Sequence, residues 1–273
     1  MSNLFNVALI QTTTGRDPDA NIAAITPQIS DAAANGADFV MLPETAGMME
    51  PDPKQLHAKA RFEHETAALS AFSEAAAKAG VWLLIGSLVV KSDEPGKLAN
   101  RSFLVDGTGT IKARYDKIHL FDVELASGEA YRESSNYRHG DKLVSAETPW
   151  GILGMTICYD LRFAGQYRAL ANQGAAFLTV PSAFTRPTGQ AHWHTLLRAR
   201  AIENGCYVFA PAQCGEHEGG RQTYGHSLIV DPWGEVVADG GEVPGIITAE
   251  INPARVDVVR AQVPSLQHDR DYS

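Results

Sequence analysis

The chain has 273 residues, 44% hydrophobic and 20% charged, a mix that excludes disorder, collagen-like repeats and small disulfide scaffolds and allows a sizeable core. With 23 Lys and Arg against 32 Asp and Glu, the formal net charge is −9. An acidic chain with no local basic patch argues against nucleic acid and anionic membrane surfaces as partners.

Read in chain order, short apolar runs alternate with helical stretches. NVALIQ (6–11) predicts a first strand. A helix follows over roughly 20–35, with Ile22, Ile25 and Ile29 on one face and Pro27 inside it, where proline should kink it. FVMLPE (39–44) is the next strand, and an Ala-rich helix is expected over 53–79, stopping at Gly80. Further strands are VWLLIGS (81–87), SFLVD (102–106), ILGMTICYD (152–160), AFLTVPSAF (176–184), CYVFAPAQC (206–214), HSLIVD (226–231) and GIITAEI (245–251). Helices are expected near 162–173, 190–204 and 253–262. Continuous Val/Ile/Leu/Phe runs suit strands covered on both faces.

This alternation predicts an α/β architecture with helices outside the sheets. Hairpin-like pairs at 81–106 and at 226–251, the latter with turns at DPWG and DGGE, imply mixed rather than wholly parallel sheets. No linker, low-complexity segment or internal repeat interrupts the chain, so 1–273 reads as a single domain. The three cysteines, Cys158, Cys206 and Cys214, are an odd and sparse set that suits a reducing compartment. The start, MSNLFNVALIQ, lacks the features of a signal peptide, and no run of about 18 apolar residues occurs. A cytoplasmic enzyme is the expected class.

In α/β folds, reactive groups gather where strands hand over to loops. Three handovers carry them. Glu44 follows an apolar strand in MLPETAG, Lys117 lies between Asp116 and Ile118 in RYDKIHLFD, and Cys158 ends the strand of ILGMTICYDLRF. Taken singly, Glu44 and Lys117 read by default as solvated surface charges. Free cysteine is usually an inert buried hydrophobe, the reading given to Cys206 and Cys214. Cys158 differs by position, because a strand–turn–helix junction presents a nucleophile beside backbone N–H groups. Its base must come from neighbours, and carboxylates are the candidates.

Glu in LPET, Lys in DKIHLFD and Cys in ICYDLRF, in that order, resemble the Glu-Lys-Cys set of the carbon-nitrogen hydrolase (nitrilase-like) family. The resemblance runs from NVALIQ to SLQHDRDY and includes YRES (131–134), PSAF (181–184), HWHTLLRARAIEN (192–204) and YGHSLIVDPWGEV (224–236). DVELASGEAYRESSNY (122–137) and YVFAPAQCGEH (207–217) are most similar to the branch that hydrolyses deaminated glutathione, close to the ω-amidases acting on α-ketoglutaramate. The resemblance implies a four-layer αββα sandwich of two mixed sheets flanked by helices. It also implies a cysteine acyl-thioester mechanism and no cofactor. Glu44 is then base and acid in turn. Lys117 and the Tyr159 N–H stabilise the oxyanion, and Glu133 orients Lys117 or the substrate amide. Arg162, the arginine of CYDxRF, holds a substrate carboxylate unless Asp160 claims it. Lys117 is expected to favour the thiolate, and exclusion of water to raise the basicity of Glu44. Relatives bury the 190–204 and C-terminal helices between subunits, which implies a homodimer or an assembly of dimers.

Other prominent residues carry structural readings. His192 and His194 form an H-x-H pattern with no thiol or acidic partner at ligand spacing, so no metal site is expected. Trp193, Leu196, Leu197 and Ile202 read as core or subunit contacts, and His226 and Trp233 as hairpin packing. The Gly-rich CGEHEGG (214–220) lacks the context of a phosphate loop and reads as a mobile loop at a pocket mouth.

Overall fold

The computed structural model describes residues 4–124, 128 and 130–270. Residues 125–127 and 129 of the 122–137 motif, and the last residues of the C-terminal one, lie outside them. The first half of the chain runs β1 (Phe5–Gln11), α1 (Pro18–Ala34), β2 (Phe39–Met41), α2 (Pro53–Lys59), α3 (Ala67–Ala79), β3 (Trp82–Lys91), β4 (Leu98–Val105) and β5 (Ile111–Asp116). A small hairpin, β6 (Asp122–Glu124) and β7 (Ala130–Arg132), leads to β8 (Val144–Thr148), β9 (Gly151–Met155), α4 (Ala164–Asn172), β10 (Ala175–Thr179), α5 (Arg186–Asn204) and β11 (Tyr207–Ala210). The chain closes with β12 (Cys214–Glu216), β13 (Gln222–Tyr224), β14 (Leu228–Val230), β15 (Val236–Asp239), β16 (Gly245–Ile251) and α6 (Ala254–Gln262).

Two six-stranded mixed sheets result, ordered β16-β1-β2-β3-β4-β5 and β15-β14-β11-β10-β9-β8. Period-two alternation sorts β1 between two cores. Val7 and Leu9 face the second sheet, in a cluster with Met155, Phe177 and Leu178, while Ala8 and Ile10 meet Ile25 and Ile29 of α1 and Phe72 of α3. On the far side, Leu170 of α4 and Trp193 and Leu197 of α5 cover the second sheet. Helix, sheet, sheet and helix are therefore stacked as four layers. At one end of the middle layer Trp150 stacks on Phe5, with ring centroids 4.4 Å apart.

Pro27 lies on the exposed face of α1, which runs unbroken from Pro18 to Ala34. Two expectations are corrected. The helix expected over 53–79 is split after Lys59: Arg61 forms a parallel bridge with Val90, and Glu63 pairs with Arg101 and Arg114 at the sheet edge. Tertiary pairing overrides helix propensity here. The 226–251 region is only half a hairpin. β14 and β15 pair across the DPWG turn, but β16 leaves for the other sheet and runs antiparallel to β1, from Phe5↔Ile251 to Gln11↔Gly245.

Candidate active site

The three handovers meet between the sheets. Glu44 follows β2, Lys117 follows β5, and Cys158 opens a 3-10 turn (Cys158–Arg162) just beyond β9. Each position is fixed by the local chain. Gly86 lets β3 press against the backbone before Glu44, since a Cβ there would fall 2.0 Å from the Leu42 carbonyl oxygen. The neighbouring Ser87 accepts the Thr45 N–H through Oγ (2.8 Å) and the Ala46 N–H through its carbonyl (3.1 Å). Gln213 Nε2 donates to the Glu44 carbonyl at 2.9 Å. Cys158 has φ of +50°, a left-handed conformation that costs a non-glycine residue about 1–3 kcal/mol and recurs at nucleophile turns.

A buried carboxylate sustains that turn. Asp160 accepts from Ile157 N (2.8 Å) and Tyr115 Oη (2.6 Å) on one oxygen, and from His119 N (3.0 Å) on the other, where His119 Nδ1 also lies at 2.8 Å. Because Tyr115 and His119 flank Lys117, one side chain locks the cysteine turn to the lysine strand of the opposite sheet.

Lys117 Nζ lies 2.9 Å from Glu44 Oε1 and 2.9 and 3.1 Å from the two oxygens of Glu133. Asn100 Nδ2 bridges the same two carboxylates at 2.9 and 3.3 Å. The Ala183 N–H donates to Glu44 Oε2 (2.8 Å), and the Phe121 N–H to Glu133 Oε2 (2.6 Å). Burial pushes Glu44 up, but the Lys117 charge and hydrogen bonds from the Cys158 thiol and Lys117 outweigh it and hold the carboxyl below its usual range. Burial, reinforced by the Glu44 charge, drives the Cys158 thiol well up against the opposing effect of Lys117. Burial disfavours charge on Lys117, yet Glu133 and Glu44 keep it firmly protonated. The resting site therefore holds thiol, carboxylate and ammonium. This corrects the expectation of a favoured thiolate beside a more basic glutamate: burial of the thiol, together with the Glu44 charge, outweighs Lys117 at Cys158, whereas Lys117 outweighs burial at Glu44.

These groups line a cavity of about 680 Å³, with Tyr159, Phe184, Asn100 and Arg221 among its other walls. The Tyr159 N–H lies in the first turn after Cys158, where a helix leaves its donors without internal partners. Arg162 is not among the lining residues. Its guanidinium lies over Tyr159 and Phe184, 5.8 and 5.5 Å from the ring centroids, and reaches His192 Nδ1 at 3.4 Å. Nor does it pair with Asp160, whose oxygens are already committed. Arg221, unremarked in the sequence, enters the cavity instead. Its Nη2 donates to the Ala183 carbonyl (2.6 Å), its guanidinium sits 5.3 Å from the Tyr131 ring centroid, and its buried Nε has no hydrogen-bond partner. The segment expected as a mobile loop is a built feature. β12 and β13 pair, and buried His217 joins the Thr14 carbonyl (2.9 Å) to Thr223 Oγ1 (2.7 Å). Its cavity-side residues are Glu218, Gly219, Gly220 and Arg221. Asn100 could have been suspected as a polar residue within an apolar strand, whereas no local signal marks Arg221.

The carbon-nitrogen hydrolase family model matches residues 6–261. This chain belongs to the carbon-nitrogen hydrolase family. A Yersinia enterocolitica member, deaminated glutathione amidase, is 41% identical over 270 residues, covering 98% of this chain and 94% of that protein. The crystal structure of the Caenorhabditis elegans NitFhit protein superposes with a TM-score of 0.89 at 36% identity, covering 98% of this chain and 66% of that one. A Nesterenkonia amidase, crystallised as a glutamate-to-glutamine mutant with an acetamide group added covalently at its active-site cysteine, gives a TM-score of 0.82 at 28% identity, covering 97% and 94%. Family membership accounts for the four layers. Among the described residues, no helix is long and apolar enough to cross a membrane.

Proposed function

We propose that the chain is a thiol-dependent amidase that cleaves deaminated glutathione to 2-oxoglutarate and Cys-Gly. The observation that carries this reading is that buried Cys158, Glu44 and Lys117 share one wall of a cavity large enough for a tripeptide-sized molecule. The names of relatives near 40% identity support the choice of substrate.

The steps follow from the resting protonation. Cys158 Sγ attacks the amide carbonyl as its proton passes to Glu44, and the carbonyl electrons move onto oxygen. Lys117 and the Tyr159 N–H stabilise that oxyanion; one such donor is worth about 3 kcal/mol. Collapse breaks the C–N bond, and Glu44 returns the proton to the departing amine of Cys-Gly. Glu44 next takes a proton from water, whose oxygen attacks the thioester. The tetrahedral adduct releases 2-oxoglutarate, and Sγ recovers the proton. Glu133 and Asn100 act as positioning residues that hold Lys117 and Glu44.

Recognition of a carboxylate falls to Arg221. Lys117 already contacts two carboxylates, and Arg132 is committed to Glu124 and to the Val123 and Tyr131 carbonyls. Arg221→Ala is expected to raise KM for carboxylate-bearing amides by at least tenfold more than for small neutral amides; an equal rise for both would return the role to Arg162 or to neither. An ω-amidase acting on α-ketoglutaramate is the alternative, since both substrates share one acyl part. The ratio of kcat/KM for deaminated glutathione to that for α-ketoglutaramate decides between them. Exposed Ile202, Trp233 and Val258 favour self-association as a dimer, and the three free thiols favour a reducing, cytoplasmic setting.

A further inference from the structure

Away from the cavity, the second sheet gathers a donor set that the H-x-H spacing alone does not reveal. His194 of α5, His226 in the turn before β14 and Asp239 at the end of β15 each offer one ligand atom, all within 4.8 Å of one another. Asp239 Oδ2 lies 3.1 Å from His194 Nε2, and Oδ1 lies 2.8 Å from His226 Nδ1. The acidic partner missing from the local sequence comes from 45 residues downstream of His194.

Hydrogen bonds and a ring contact hold the turn that carries His226 and Asp239. Trp193 Nε1 donates to the His226 carbonyl (2.8 Å), the His226 N–H to the Gly241 carbonyl (2.6 Å), and the Gly241 N–H to Asp239 Oδ1 (2.9 Å). The Tyr224 ring stacks on His226 with centroids 4.4 Å apart. His226 has φ of +53°, a strained setting that the surrounding contacts hold in place. None of these residues takes part in the proposed amidase chemistry.

We propose that His194, His226 and Asp239 form a binding site for a divalent transition-metal ion, Zn²⁺ by donor type, that ties α5 to the β14–β15 hairpin. Two neutral imidazole nitrogens and one carboxylate oxygen are a zinc-type donor set carrying a single negative charge. Zinc–ligand bonds of about 2.1 Å put tetrahedral donors roughly 3.4 Å apart; Asp239 Oδ2 already lies 3.1 Å from both His194 Nε2 and His226 Nδ1, and the three ligand atoms all fall within 4.8 Å of one another. The Gly241 N–H orients the carboxylate from outside the donor triangle, as metal sites commonly require. The side chains of His194 and Asp239 are each 35% exposed, which leaves room for water to complete the coordination shell.

The test is calorimetric titration of chelator-stripped protein with Zn²⁺. It uses the Cys158→Ser background, so that the cavity thiol cannot act as ligand. One ion per chain is expected, with a rise in Tm on adding zinc. His194→Ala and Asp239→Asn should each weaken binding on the order of 100-fold, while His192→Ala leaves it unchanged. Both single variants are surface changes whose folding can be checked by circular dichroism. The proposal is overturned if the Cys158→Ser protein shows no saturable zinc binding. It is equally overturned if His194→Ala binds as tightly as its parent, or if His192→Ala weakens binding as much as His194→Ala does. In any of those cases Asp239 is simply a carboxylate bridging two imidazoles.

Discussion

Cys158 and Cys206 are both buried thiols, both pushed up by that burial, and both close to a cation. Cys206 is raised to about 11, moderated by Arg260, whose Nη2 lies 3.0 Å from Sγ. Its thiol donates to the Ala175 and Asn204 carbonyls at 3.2 and 3.4 Å, groups that accept a hydrogen bond but never a proton. Cys158 instead faces Glu44, on a strained turn that opens to the cavity. Neither a depressed thiol pKa nor a nearby positive charge separates the two. A carboxylate able to take the proton during attack does.

The comparison is broken most severely by exchanging the nucleophile. Cys158→Ser should lower kcat by about 10⁴-fold or more, with no acyl-enzyme seen by intact-mass spectrometry. Glu44→Gln comes next, at roughly 10³-fold in kcat; near-normal turnover would point to a histidine base of the papain type. Glu133→Gln should cost about 10²-fold, in kcat rather than KM, because it loosens Lys117 without touching the thiol. The pH profile sharpens the contrast. Glu44 is held down, so it remains a carboxylate throughout the neutral range, and kcat/KM falls only as the pH drops below the ordinary glutamate value of about 4.3. The stability that this depressed value contributes is present above that pH and lost beneath it. The Cys158 thiol is held up, so no gain should appear near pH 8.5, where an ordinary cysteine ionises. A rise there would sink the concerted transfer. The smallest effect is that of Cys206→Ser, about 1 kcal/mol of stability with kcat unchanged, measured by denaturant unfolding and steady-state assay.

Much of this was legible because strand ends are where an α/β sheet exposes side chains. Glu44 and Cys158 each terminate an apolar run, and such runs mark most central strands, whereas Lys117 follows the alternating edge strand IKARYD. What escaped detection depends on distant partners. β5 and β8 are sheet-edge strands with half-exposed, alternating residues, weaker signals than a buried run. The break after Lys59 rests on Val90, Arg101 and Arg114, and Arg221 reaches the cavity only because β12 and β13 pair. The cysteine's protonation depends on its depth in the fold: residue types along the chain show a lysine and a glutamate, while burial of the thiol is the larger effect.

The return of β16 to β1 has a consequence for synthesis. Phe5 finds its partner only when Ile251 has been made. At about 5–20 residues per second, β1 waits for tens of seconds on the ribosome with one edge unpaired. Such an edge is a template for pairing with other chains, and a contact of that sequence span is slow to close even in the finished polypeptide. A chain stopped before residue 245 would therefore carry every proposed catalytic group and still leave its first strand open to aggregation.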